Sequence, residues 1–235
     1  MAIARAELAA LTIAPPHSLD GYARDKSDIW STQPDGSTTR QDVLARDGKN
    51  VQDEPDHCQP VFGTWYSVYD DTSVTDVAKA TIDHMVPLAE GWRSGADTWS
   101  AGQRKAFGNN LKDPQLLIAS ESANSSKSDS GPADWKPTNH AFWCTYAKDY
   151  THIKSVWKLT TTDKEKPALS SMLDTCTNPN GPLGIALRSP ASASVKWAAI
   201  TARVAAGAIS GYLPRCGGRG STRRRVIGGS LPPGL

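Results

Sequence analysis

Apolar positions first recur at helical spacing near the start of the chain, at Ile3, Ala6, Leu8 and Leu11, and Pro15-Pro16 closes the run. Residues 39–46 predict a short helix with Val43 and Leu44 inward and Gly48 as its stop. Residues 61–69 alternate aromatic and small side chains, as a strand does, and Asp70-Asp71 marks a turn. A second strand is expected over 81–86, ended by Pro87. Ser100 and Gln103 have the spacing of a capping box, so a helix should start there and stop near Gly108. Residues 114–119 predict a third strand, and a polar helix follows from Glu121. Phe142, Tyr146, Tyr150, Ile153 and Trp157 form an apolar stripe on a further helix. A last helix opens at Thr162-x-x-Glu165, a second capping pattern, and carries Leu169, Met172 and Leu173.

This order predicts an α+β domain over residues 4–176. Beyond Cys176 the chain becomes rich in Gly, Pro, Ala, Ser and Arg, and residues 177–235 are expected to be a poorly ordered tail. No apolar run approaches the ~20 residues of a membrane span, so no membrane partner is expected. Net charge is +2, yet the tail carries eight basic residues and no acidic one. Residues 1–176 then hold 18 basic and 24 acidic groups, a balance of −6. Bulk charge on the domain does not attract a polyanion, and a nucleic-acid role needs a specific site. Arg40 and Arg46 suit DNA contact and buried ion pairing equally, whereas the cluster Arg219/Arg223–Arg225, which could bind phosphates, reads more often as a solvated tail.

Cys58, Cys144, Cys176 and Cys216 do not have the spacing of a zinc ribbon or a redox pair. They fit disulfides in an oxidising compartment, or buried thiols. The first residues lack the apolar core of a secretory signal, with Glu7 interrupting them. The chain is then either cytoplasmic or secreted without its leader.

The candidate chemistry lies in Ile82-Asp83-His84-Met85-Val86-Pro87 and, forty residues past His84, in Asn124-Ser125-Ser126-Lys127-Ser128-Asp129. Phosphodiester hydrolysis needs an activated water and a site for the charge on the leaving oxygen. A hard ion such as Mg²⁺ prefers oxygen ligands and keeps several waters, so two protein ligands suffice. Asp83 offers a carboxylate oxygen and Asn124 an amide oxygen. His84 can accept a proton from water, because imidazole titrates near neutral pH. Adjacent strand residues point to opposite faces, so the strand must end or bulge at Asp83-His84. Lys127 lies one turn after Asn124 and could hold a phosphate. Plainer roles are a helix cap for Asn124 and a surface position for Lys127. His57, His140 and His152 read as ordinary polar residues.

The order strand with Asp-His, insertion, strand, helix with Asn and Lys resembles the ββα-metal finger of HNH (His-Me) nucleases. Asn124-x-x-Lys127-x-Asp129 is similar to the corresponding helix of the HNH domain in CRISPR effector nucleases. A fuller resemblance is to small secreted HNH endonucleases related to the C-terminal domain of GmrSD-type restriction enzymes. It runs through Thr39–Asp47, Gly63–Ser67, Pro87–Ala96 and Cys144–Ala147 up to Cys176. The resemblance implies a ββα-metal core with additional helices and one Mg²⁺ or Mn²⁺ ion held by Asp83 and Asn124. It also implies His84 as general base, Lys127 at phosphate, a nucleic-acid substrate (DNA foremost), and export. No obligate protein partner is evident. It implies a Cys144–Cys176 disulfide as well. Family members carry a Cys just before the Thr-Arg segment, where this chain has Ser37 and Thr38, which leaves Cys58 without an evident partner. The tail has no counterpart in that family. The competing reading is a catalytically inactive scaffold or binding protein of the same fold.

Overall fold

The structure, a computed structural model, describes residues 1–54 and 59–176. The expectations for His57, Cys58, Cys216 and the tail fall outside them. Two helices precede a run of four strands, and the remaining strand lies among the later helices: α1 (Ala2–Ala10), α2 (Thr39–Asp47), β1 (Gly48–Asp53), β2 (Pro60–Ser67), β3 (Thr72–Val74) and β4 (Ala80–His84), then α3 (Leu88–Arg93), α4 (Ala101–Gly108), β5 (Leu116–Ser120), α5 (Glu121–Lys127), α6 (Trp143–Val156) and α7 (Glu165–Asp174). The α+β class expected from the sequence holds. Among the described residues no helix is long and apolar enough to cross a membrane.

β1, β2 and β3 form an antiparallel sheet in that order, and β4 and β5 form a separate antiparallel pair. The β4–β5 register runs without a slip from Ala80 opposite Ser120 to His84 opposite Leu116. Alternation therefore puts Ala80, Ile82, Leu116 and Ile118 on one face, and they pack with Val43, Leu44 and Trp65 of α2 and β2. Ala119 on the other face joins the larger core of Leu8, Tyr146, Tyr150, Ile153, Leu169 and Met172, supplied by α1, α6 and α7. The two-stranded ladder thus stands between two apolar cores.

Several predicted ends shift for local reasons. α2 starts on a capping box, Thr38 with Gln41, which the apolar pattern alone does not reveal. β4 stops at His84 rather than residue 86, because the fully buried Gln115 takes over the next pairing. Its main-chain oxygen accepts from Met85 N at 2.7 Å, and its side chain bonds both N and O of Val86. The Ser100–Gln103 box forms as expected. The Thr162–Glu165 box forms only by half: Glu165 N donates to Thr162 Oγ1 at 3.0 Å, while the Glu165 carboxylate is drawn inward to Lys154 and Thr161. β1, β3 and α3 have no counterpart among the predicted elements. β1 is polar apart from Val51, and Gly48 is what admits it. A side chain at 48 would meet Val51, Trp65 Nε1 and Leu44 O within 2.8 Å.

Cys144 at the start of α6 and Cys176 just after α7 are joined by a disulfide, with a sequence separation of 32. A loop of that length restricts the unfolded chain by about 3–4 kcal/mol. Reduction, or Cys144→Ser with Cys176→Ser, should therefore lower unfolding free energy by ~2–4 kcal/mol in urea titrations. Identical midpoints with and without reductant would contradict this.

Candidate active site

β4 ends where its last two side chains leave opposite faces of the ladder. Asp83 turns toward α5 and the tyrosines, and His84 toward the C-terminal end of α4. Both residues are buried, and both line a pocket of about 180 Å³. Asn124, Asp129, Tyr22 and Arg24 line it too.

The Asp83 carboxylate is held through one oxygen. Tyr69 donates its hydroxyl to Oδ2 at 2.7 Å, and the Lys127 ammonium sits 2.7 Å from the same atom. Lys127 also donates to the His84 carbonyl oxygen at 2.8 Å. Its side chain is 0% exposed, and it is not among the residues lining the pocket. The expectation that Lys127 reaches a phosphate thus meets an ammonium already engaged inside the protein. Burial lowers its proton affinity, and Asp83 pulls it partly back. Burial, with the Asp83 charge beside it, pushes the Tyr69 hydroxyl well above its ordinary range, so it remains a donor.

His84 Nε2 lies 2.9 Å from Gly108 O. A carbonyl oxygen can only accept, so Nε2 carries the hydrogen and Nδ1 keeps its lone pair. The Trp30 ring lies against the imidazole, with centroids 5.8 Å apart. Burial pushes the His84 pKa down to about 3; the Gly108 bond opposes this, and the charges of Arg24 and Lys127 reinforce it. Gly108 is glycine for a packing reason as well. A side chain there would come within 2.8 Å of Ile29 and 3.3 Å of Ser27.

Asn124 does not cap its helix. Ser120 does, accepting from Ala123 N at 3.0 Å. The Asn124 amide nitrogen instead donates to Thr81 Oγ1 at 3.0 Å, and that hydroxyl donates to Ala119 O at 2.8 Å. Because the Thr81 proton is committed, it accepts from Asn124, and the amide orientation is set with Oδ1 left over. Asp83 Oδ1 and Asn124 Oδ1 have no hydrogen-bond partner among the described residues. Among those residues no group of three or more His, Cys, Asp and Glu side chains is arranged to hold a metal ion. Asp83 and Asn124 thus offer the pocket one carboxylate oxygen and one amide oxygen, both hard donors of the kind that suits a hydrated Mg²⁺ or Mn²⁺.

Other candidates go elsewhere. Arg40 donates to the Val77 and Ala80 carbonyls, and Arg46 to Asp47 and Leu116 O. His152 bonds Glu7 at 2.9 Å, and His140 stacks on Trp143. Tyr22, Arg24, Tyr69 and Gly108 are absent from the sequence-based site. Their contributions come through folding that brings distant segments together, and no local motif signals them. Asp129 ends the Asn-x-x-Lys-x-Asp string, but its Oδ2 is taken by Arg93 at 2.8 Å.

An α+β domain with a His-containing polar pocket at the end of a two-stranded ladder is the class defined so far. The profile for the C-terminal domain of GmrSD restriction endonucleases matches residues 38–172. An uncharacterized secreted protein of Arthroderma benhamiae is 43% identical over 173 residues, covering 74% of this chain and 84% of its own. No solved structure matches. The chain belongs to the GmrSD C-terminal domain family, a group of HNH-like nuclease domains.

Two measurements check this geometry. Lys127→Met strands a buried carboxylate and should cost ~3–5 kcal/mol of stability, while Tyr69→Phe should cost about 1.5–3 kcal/mol. Losses below about 1 kcal/mol for Lys127→Met in urea unfolding would contradict the pairing. The second concerns His84. The unfolded imidazole takes a proton near its ordinary pKa of ~6.5, whereas the folded one stays neutral to about 3. Stability present above about pH 6.5 is then lost as pH falls, at up to ~1.4 kcal/mol per unit from this residue. His84 ring resonances followed by NMR should not titrate between about pH 8 and about pH 5. A midpoint near 6.5 would mean that the ring is solvated.

Proposed function

We propose that the protein is a metal-dependent endonuclease hydrolysing phosphodiester bonds of DNA, with His84 as general base and a ββα-metal core made of β4, β5 and α5. The observation that carries this reading is the His84 Nε2–H bond to Gly108 O, which leaves Nδ1 as the proton acceptor in a pocket shared with Asp83 and Asn124.

Asp83 and Asn124 are the residues that would hold one Mg²⁺ or Mn²⁺ ion. Such an ion, when bound, neutralises the charge that builds on the leaving oxygen. His84 Nδ1 takes a proton from the attacking water as its oxygen bonds to phosphorus and the ester P–O bond breaks. The leaving oxygen takes a proton from solvent water, His84 later returns its proton to solvent, and the products are a phosphate monoester and a hydroxyl end. Burial keeps the free imidazole neutral, so Nδ1 is unprotonated before substrate arrives, and an approaching phosphate anion offsets the smaller opposing contributions of the Arg24 and Lys127 charges. Lys127 acts as a positioning residue, fixing the Asp83 carboxylate and the main chain at His84. The Arthroderma relative's description as secreted and the disulfide both support an extracellular setting.

Purified protein incubated with plasmid DNA and with RNA, with Mg²⁺ and with chelator, tests this directly. The wild type should cut DNA with Mg²⁺ and not with chelator. His84→Ala should lose ~10²–10⁴-fold in rate while melting as a folded protein. Asp83→Ala and Asn124→Ala should need more Mg²⁺ for half-maximal rate, since each removes one of two protein ligands. If His84→Ala cuts at the wild-type rate, or both ligand variants saturate as the wild type does, the assignment is wrong. A folded wild type that cuts neither nucleic acid favours an inactive scaffold.

A further inference from the structure

Lys127 is enclosed, yet a nuclease pocket needs a cation at the substrate phosphate. Among the described residues, the cationic side chain that does line the pocket is Arg24. It stands at the start of the 3₁₀ turn Arg24–Ser27, before the segment that the family profile matches. It is exposed, and it has no acidic or hydrogen-bond partner among the described residues. The two carboxylates of the pocket already face other cations, Asp83 paired with Lys127 and Asp129 with Arg93. The Arg24 charge therefore remains unmatched locally.

The turn that carries Arg24 is tied down on both sides. Tyr22 meets Trp92 edge-on, with centroids 5.7 Å apart, and Lys26 lies over the same indole. Buried Ser27 packs into the space left by Gly108, and Asp28 is held by Lys105 at 2.6 Å and by Asn109 through its carbonyl at 2.9 Å. Arg24 is thus an exposed guanidinium on a fixed base, beside the imidazole, and such a fork suits two phosphate oxygens at once.

We propose that Arg24 binds the non-bridging oxygens of the substrate phosphate and holds it in the pocket against His84. This deepens the nuclease reading and rests on it. The phosphate role that the motif spacing suggested for Lys127 passes to a residue from the N-terminal segment.

The test measures binding of a labelled DNA duplex by fluorescence anisotropy in chelator, across a range of salt, together with cleavage kinetics in Mg²⁺. Arg24→Gln should weaken binding about tenfold at low salt and raise KM by a similar factor. The slope of log affinity against log salt should fall by about one phosphate contact. Arg24→Lys should recover part of the affinity, and melting temperatures should stay together. Lys164→Gln, which removes a positive charge that does not line the pocket, serves as control. If wild type cuts DNA and Arg24→Gln keeps its affinity, salt slope and KM, the Arg24 role is overturned while the nuclease reading stands. Equal losses in Arg24→Gln and Lys164→Gln would also overturn it, as an effect of bulk charge. A wild type that cuts neither DNA nor RNA would overturn the nuclease reading itself, and the Arg24 role with it.

Discussion

An ammonium group cannot be taken out of water cheaply, and the placement of Lys127 is governed by that fact. Removing a charge from solvent costs several kcal/mol unless fixed partners replace the water. Lys127 finds two, the Asp83 carboxylate and the His84 carbonyl, both at the end of β4. α5 is thereby tied to one point on the ladder. Asn124, one turn earlier on the same helix face, must then lie beside β4, where Thr81 orients its amide. The buried pair and the tyrosine on its far side set the carboxylate, the amide and the main chain next to the imidazole in one operation.

The second constraint is the alternation of a β-strand. Asp83 and His84 leave opposite faces, so each is supported by a different core: Tyr69 and α5 on one side, the end of α4 and Trp30 on the other. They share a pocket because the strand stops there, and Gln115 substitutes its side chain for the ladder that would have continued. A single longer strand would have separated them across a sheet.

Much of this was legible in the chain because it is written in local periodicity and fixed spacing. The stripe on α6, the Ser100–Gln103 cap, the two strands flanking the long insertion and the Asp-His/Asn pattern all rest on neighbours in sequence. What was hidden depends on neighbours in space. β1 carries one apolar side chain, and its existence follows from Gly48 lying against Trp65. Lys127 reads as a surface lysine until α5 is docked. Arg24 enters the pocket only because its turn is strapped to Trp92 and the end of α4. Glu165 looks like a cap, but buried Lys154 outcompetes the helix end for its carboxylate.

The group that fixes the His84 tautomer is a main-chain oxygen. Every residue type carries one, so no codon change at position 108 can delete it, and the bond to His84 leaves no side-chain signature at that position. What selection can act on is displacement. Position 108 has room for a hydrogen and little else, with Ile29 and Ser27 pressed against it. In a lineage drifting under mutation, the orientation of the His84 ring would then be open to disturbance by the gain of a single methyl group on a residue that has no side chain at all.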